Sequence, residues 1–325
     1  MKRISCLLLA ALTAFSLTAC GGGSTESTPP ETSPAETTPA ATTPAETTPA
    51  VSVPPVEDLT GVDTSAIPGV EDGVLTVGME CAYAPYNWTQ MDDSNGAVPI
   101  VNNPGSYANG YDVMMAQRIC DAYGWELEVM ALEWGGLTPA LQSGTIDVAI
   151  AGQSMTAERM AEVDMAGPYY YATIVCVTTK DSAYASATSI ADLAGGLCTS
   201  QSGTIWYDTC LPQIPDAQIQ APADTAPAMI MALQSGTVDF ICTDLPTASG
   251  AVAKDDNLVI LNFSGTDGDF QFATEEERAE NVNIGMSVQK GNTQLLDAMN
   301  TVLSALNGDQ FNALMDQAIA VQPEI

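Results

Sequence analysis

Residues 148–159 read VAIAGQSMTAER, and Arg159 is the residue in that run whose chemistry needs an explanation. Thr156 is a residue type that caps helices, which places Ala157, Glu158 and Arg159 in a first helical turn. A cation there opposes the helix dipole, at roughly 0.3–1 kcal/mol, whereas Glu158 is what the dipole favours. An arginine in that place implies either a bound anion or a carboxylate partner within the chain, for which Glu162 and Asp164 are the neighbouring choices. Gly152 and Ser154 lie between the apolar run and Arg159, at the carboxyl end of an expected strand. That end is where open α/β sheets bind ligands. Two acids also sit at expected strand ends, Glu80 and Asp244, and either has the chemistry of a general acid or base. The chain contains no histidine, which excludes a Ser-His-Asp triad, a Cys-His pair and a histidine-based zinc site.

The elements that must position Arg159 are legible around it. ALQS at 140–143 ends a helix, Gly144 supplies a left-handed stop, and 146–151 is a short apolar run of buried-strand type. The same idiom returns: ALQSGTVDFICTD at 232–244 matches ALQSGTIDVAIAG at 140–152, an offset of 92 residues. That offset far exceeds the ~20–50 residues of solenoid repeats. It predicts two related α/β lobes, each ending a strand in polar residues at a shared cleft.

Further along the chain, strands are expected at 74–79, 125–132, 173–179, 196–199, 237–242, 257–261 and 283–288. Helices are expected at 111–123, 135–143, 189–194, 203–209, 225–235, 246–253, 293–306 and 309–320. This alternation points to parallel sheets. Residues 80–89 read as an aromatic-rich loop and 91–109 as a polar surface insertion. The folded part is expected to start near Asp72.

The chain of 325 residues begins with Lys2 and Arg3, an apolar run from Leu7 to Phe15, and LTAC at 17–20 followed by glycines. The run is too short for a permanent membrane span. This order resembles a bacterial lipoprotein signal, with Cys20 as the lipidated first residue of the mature chain. Residues 21–55 are rich in Pro, Thr, Ala and Glu and repeat AETTPA, a composition that builds no core. Fully extended, 35 such residues reach ~110 Å at ~3.1 Å each, which reads as a tether. The formal charge is −32, and −34 once Lys2 and Arg3 leave with the leader (6 basic against 40 acidic residues). Such a surface repels nucleic acid and anionic lipid, so only an acyl anchor would hold it to a membrane. Cys81, Cys120, Cys176, Cys198, Cys210 and Cys242 show no CxxC spacing, and six cysteines allow 15 pairings. Several fall in strand-like apolar runs, where cysteine acts as a small hydrophobe, and mostly free thiols are expected.

Six motifs occur in order: YAPY at 83–86, GYDV at 110–113, the run 140–159, GPYY at 167–170, QSGT at 201–204 and VDFICTD at 238–244. Together they resemble the extracellular solute-binding proteins of polar-amino-acid ABC transporters (solute-binding family 3), over residues 72–322. The resemblance implies a periplasmic-binding-protein-like type II α/β fold, two lobes joined by two crossing hinge segments. Residues 72–171 plus 284–325 would form lobe 1 and 172–283 lobe 2, after a signal peptide at 1–19 and a tether at 20–71. It implies a monomeric, lipid-anchored receptor on the outer face of the cell membrane, with an amino acid and an ABC permease as partners. No catalytic residue, cofactor or metal is implied.

In that family the arginine of the S-x-T-x-E-R pattern holds the ligand's α-carboxylate, which maps onto Arg159. Gly152 and Ser154 would add to the α-group contacts, and Asp244 would take the α-ammonium. Ser202 and Thr204 would add to the carboxylate site at a helix start. Tyr83 and Trp134 would wall the ligand side chain, and Glu80 would meet its distal group. Ile205 departs from the pattern, which often has a second threonine there. A basic or neutral polar L-amino acid is therefore expected. Two other functions remain open on the same residues: an enzyme resembling cyclohexadienyl dehydratase, and a sensory surface receptor.

Overall fold

The structure is a computed structural model and describes residues 51–323. The signal sequence, Cys20 and residues 20–50 of the expected tether lie outside the described residues.

Two mixed five-stranded sheets carry the architecture. The first runs, edge to edge, Glu126–Ala131, Val74–Met79, Val148–Ser154, Ile284–Gln289, Val163–Tyr170. The second runs Gln218–Ile219, Leu197–Thr199, Phe240–Asp244, Ile174–Thr179, Leu258–Leu261. In each, four strands run one way and one, Ile284–Gln289 or Ile174–Thr179, runs antiparallel between two of them, so the sheets are mixed rather than purely parallel. The fourth strand of the first sheet, Ile284–Gln289, is the chain's return from the second half.

The repeated ALQSGT idiom folds the same way twice. Helices Leu137–Gln142 and Ala226–Gln234 end at Gly144 and Gly236, with φ of +71° and +70°. Ser143 and Thr145 share a hydroxyl hydrogen bond of 2.9 Å, and Ser235 and Thr237 do the same at 2.9 Å. The acid that follows has one task in both copies. Asp147 Oδ2 accepts the Thr76 amide at 2.8 Å, and Asp239 Oδ2 accepts the Leu197 amide at 2.8 Å. Each stitches its strand to the parallel neighbour.

The structure departs from the sequence-based expectation in four places. Residues 80–109 are neither loop nor insertion. They hold a four-stranded antiparallel sheet of Ala82–Tyr83, Asn87–Gln90, Tyr107–Asn109 and Val98–Pro99. Its Pro, Gly and Asn residues read as turns, yet Tyr83, Trp88, Ile100 and Ala108 are buried. Strand Val163–Tyr170 was hidden by Gly167-Pro168, and it tolerates the proline because it is an edge strand. Helix Glu275–Val282 buries only Val282, so it has no apolar periodicity to find; Thr274 caps it, and its three leading glutamates suit the dipole. The helices expected at 189–194 and 203–209 are a 3-10 turn, Ile190–Leu193, and a π turn, Trp206–Cys210.

The packed chain also begins before Asp72. Arg118 donates to the Pro54 carbonyl at 2.8 Å, the Leu59 amide to Ala122 at 2.8 Å, and Asn292 to Pro68 at 2.8 Å. Val53, Val56, Leu59 and Ile67 pack on the core beside buried Val70. Prolines made this stretch look like tether; the apolar residues between them supply burial that the Thr/Pro repeats lack.

Candidate functional site

A cleft of about 380 Å³ opens between the two sheets. Tyr83, Trp134, Gly152, Ser154, Arg159 and Thr204 line it, six of the nine residues assigned from sequence. The volume is in the range that takes a small organic ligand.

The strand Val148–Ser154, fully buried, carries Gly152 and Ser154 to its carboxyl end. Thr156 then caps the short helix Ala157–Glu162 by accepting the Arg159 amide at 3.1 Å. This turns the Arg159 side chain back over the strand end, where Nη1 donates to the Ser154 carbonyl. The guanidinium sits over the Trp134 ring, 5.5 Å from its centroid. Burial pulls its pKa down to about 10 against the support of Glu158 and Glu162, so it stays charged at neutral pH. Neither neighbour offered as a salt-bridge partner takes it. Asp164 pairs with Lys290 at 2.7 Å, and among the described residues no carboxylate lies within 4.0 Å of the Arg159 guanidinium nitrogens.

Gly152 is required where it stands. Its φ is +61°, and a Cβ there would come within 2.6 Å of the Tyr83 ring. Its amide is not free for a ligand: it donates to Tyr169 Oη at 3.1 Å. Tyr169 in turn donates to Asp112 Oδ1 at 2.6 Å, and Asn87 donates to Asp112 Oδ2 at 2.7 Å. Asp112 is fully buried; that burial, against these two hydrogen bonds, pushes its carboxyl up to about 7. Sequence reasoning missed this network, because Asp112 and Asn87 look like ordinary polar residues until the tyrosines converge on them.

Glu80, Ser202 and Asp244 do not line the cleft. Asp244 is 0 % exposed and lies behind Tyr83. It caps the helix Leu245–Lys254 by accepting the Thr247 amide at 2.9 Å, and its other oxygen accepts the Tyr83 hydroxyl at 3.2 Å. Burial raises its pKa, and hydrogen bonds from Thr247 and Tyr83 hold the rise back. Glu80 is half-buried and reaches the cleft through Gln201, whose Nε2 donates to both carboxylate oxygens at 3.3 and 3.4 Å. Burial pushes the Glu80 carboxyl up to about 7, with Glu133 and Asp112 adding repulsion against the Gln201 bond. Ser202 is tied to Ala223 through its amide, while Thr204 closes the same turn by donating to the Gln201 carbonyl at 2.8 Å. Gln201 itself lines the cleft, as do Thr138, Trp206 and Asp208. Sequence reasoning took Ser202 and Thr204 from the QSGT motif and passed over Gln201, whose amide role appears only when Glu80 faces it.

Three contacts bridge the two sheets across this cleft: Tyr83 to Asp244, Gln201 to Glu80, and Trp134 against Gly203, where an added Cβ would lie 3.3 Å from the indole nitrogen. These contacts join the facing elements around Arg159, which has no carboxylate partner among the described residues.

Residues 75–320 match the family model of bacterial extracellular solute-binding proteins, family 3. The chain belongs to this family. It is 30% identical over 210 residues to a probable histidine-binding protein of Campylobacter jejuni, covering 64% of this chain and 75% of that one. Among solved structures it resembles an arginine-bound form of ArgBP from T. maritima, at 28% identity and a TM-score of 0.58, covering 73% of this chain and 98% of the other. It also resembles an ancestral amino-acid-binding protein, AncCDT-1, described as a precursor of cyclohexadienyl dehydratase, at 25% identity and a TM-score of 0.59, covering 76% and 96%. No described helix of this family member is long and apolar enough to cross a membrane.

Proposed function

We propose that this family member captures an L-amino acid with a basic or neutral polar side chain and delivers it to an ABC importer. Its lobes would be residues 72–171 with 284–325, and 172–283, closing on the ligand as a hinged clamp. The observation that carries the reading is Arg159: a half-buried, cleft-lining guanidinium, stacked on Trp134, with no carboxylate on it among the described residues. A ligand α-carboxylate matches its fork bidentately. Ser154 and Thr204 line the same cleft. Asp244 would take the α-ammonium in place of the Tyr83 hydroxyl, and Tyr83 and Trp134 would wall the side chain. Glu80, through or beside Gln201, would meet the distal group.

A calorimetric screen of the twenty amino acids against residues 51–325 tests this directly. Saturable binding of a basic or neutral polar member is the expected result; a silent screen overturns the reading. Ligand should also lower the radius of gyration in X-ray scattering by a small measurable amount, and superposable curves at saturation would argue for a rigid site.

The receptor would act as a monomer held on the outer face of the cell membrane by acyl chains on Cys20. Cys20→Ser should release the protein into the medium or leave an unprocessed precursor. Membrane retention of a cleaved Cys20→Ser chain would remove the lipid anchor from the account.

One observation favours a second reading, an enzyme on this fold. Glu80 has a carboxyl pushed up to about 7, which suits a general base. Recovery of the ligand chemically unchanged after prolonged incubation decides for the receptor.

A further inference from the structure

Four of the six cysteines among the described residues share one face of the second sheet. Cys176, Cys198, Cys210 and Cys242 are all fully buried, all thiols, and all in one apolar cluster with Ile174, Phe240 and Phe263. The amino-acid site uses none of them.

The backbone register singles out one pair. Cys176 and Cys242 are directly opposite on the antiparallel strands Ile174–Thr179 and Phe240–Asp244. Three residues along, the Leu245 amide donates to the Thr173 carbonyl at 2.9 Å, so 173 and 245 form a hydrogen-bonded position. Positions alternate along an antiparallel ladder, which makes 176 and 242 a non-hydrogen-bonded pair. The opposite edge agrees. Lys180 donates to the Asn257 carbonyl at 2.7 Å, so Cys176 turns its own amide and carbonyl toward Leu261, away from Cys242. Non-hydrogen-bonded pairs hold their Cα atoms about 4.5 Å apart, with side chains drawn together. Disulfides span Cα separations of about 4.4–6.8 Å. Cys198 is in register with Phe240, hence diagonal to Cys242, and diagonal neighbours lie roughly 7–8 Å apart, beyond that reach. Cys210 ends the turn Trp206–Cys210 in the same cluster but has no strand register with Cys242.

We propose that Cys176 and Cys242 are a covalent modification site, closing as a cross-strand disulfide when the chain folds in the presence of a small-molecule disulfide. The two thiols give up two protons and two electrons to form one S–S bond. The small disulfide accepts them, its own S–S bond breaking to two thiols by way of a mixed-disulfide intermediate. Exchange runs during folding, before this face is covered, because both sulfurs are inaccessible afterwards. Members of an extracellular family meet oxidising surroundings in which such bonds persist.

The test is independent of the transport reading. The full-length chain is reduced, denatured and refolded in a buffer of oxidised and reduced glutathione, then unfolded in N-ethylmaleimide and mapped by mass spectrometry. The expected map links the Cys176 and Cys242 peptides and shows maleimide on Cys198 and Cys210. Cys198→Ala keeps the link; Cys176→Ala leaves Cys242 labelled. Full labelling of both Cys176 and Cys242 in the wild type overturns the proposal, and so does a Cys210–Cys242 link. The wild-type map decides even if Cys176→Ala fails to fold.

Discussion

Arg159→Ala should abolish amino-acid binding and leave the protein folded. Truncating one partner of a buried, hydrogen-bonded charge pair costs ~2–5 kcal/mol of affinity, because the other charge stays buried and unpaired. At 1.4 kcal/mol per tenfold, that is a loss of roughly 30-fold to several thousand-fold. The fold has little at stake. The side chain contributes one hydrogen bond to the Ser154 carbonyl and its stacking on Trp134, and the Thr156 cap uses the Arg159 backbone amide, which alanine keeps. Arg159→Lys should lose most of the affinity as well, since an ammonium cannot present the bidentate fork. Calorimetry with the wild-type ligand, beside a thermal melt, reads both effects. Binding within threefold of wild type would reduce Arg159 to a stacking partner of Trp134.

The second large effect concerns Glu80 and has a direction in pH. Its carboxyl is pushed up to about 7, first by burial. A cationic side chain pairs with the ionised form, so affinity for lysine, arginine or ornithine should rise as pH increases from 5.5 to 7 and level off above it. Binding below pH 7 should release a proton, visible as a buffer-dependent enthalpy. Glu80→Gln should weaken a cationic ligand at least tenfold, a neutral one much less, and flatten the pH profile.

Stability runs the other way. A buried acid with a raised pKa favours the folded state while protonated. That contribution is present below the ordinary carboxyl pKa and fades as pH climbs from about 4.5 to 7. The melting temperature of Glu80→Gln should therefore gain on wild type between pH 5 and pH 8. Tight binding of glutamate by the wild type would contradict the placement of Glu80 beside the ligand, because two like charges in a desolvated cleft repel by a few kcal/mol.

Much of the fold was legible because local chemistry and global structure agree. Helix Tyr111–Tyr123 and strand Val74–Met79 appear with the boundaries their periodicity indicates. The echo at 140–152 and 232–244 was a true repeat, since Ser, Gly, Thr and Asp fix the same turn and the same strand stitch in both places. Elements without an apolar rhythm were missed. Helix Glu275–Val282 is held by its cap and charges, and strand Val163–Tyr170 contains a proline that only an edge position allows.

By itself the sequence determined the chemistry on offer. It carries no histidine, one arginine in a helix's first turn, a glycine where the chain must turn, and two lobes related by an idiom. Those are local properties, set by residue type and by neighbours a few positions away. The tertiary structure alone decided which groups meet. Asp244 and Tyr83 are 161 residues apart, and Glu80 and Gln201 are 121 apart. Their contacts exist because two sheets face each other across a cleft. Burial there, not residue type, pushes Glu80 and Asp112 toward neutral pH, since removing water from a carboxylate penalises its charged form. The same long-range pairing of strands placed Cys176 opposite Cys242, a register no spacing along the chain encodes.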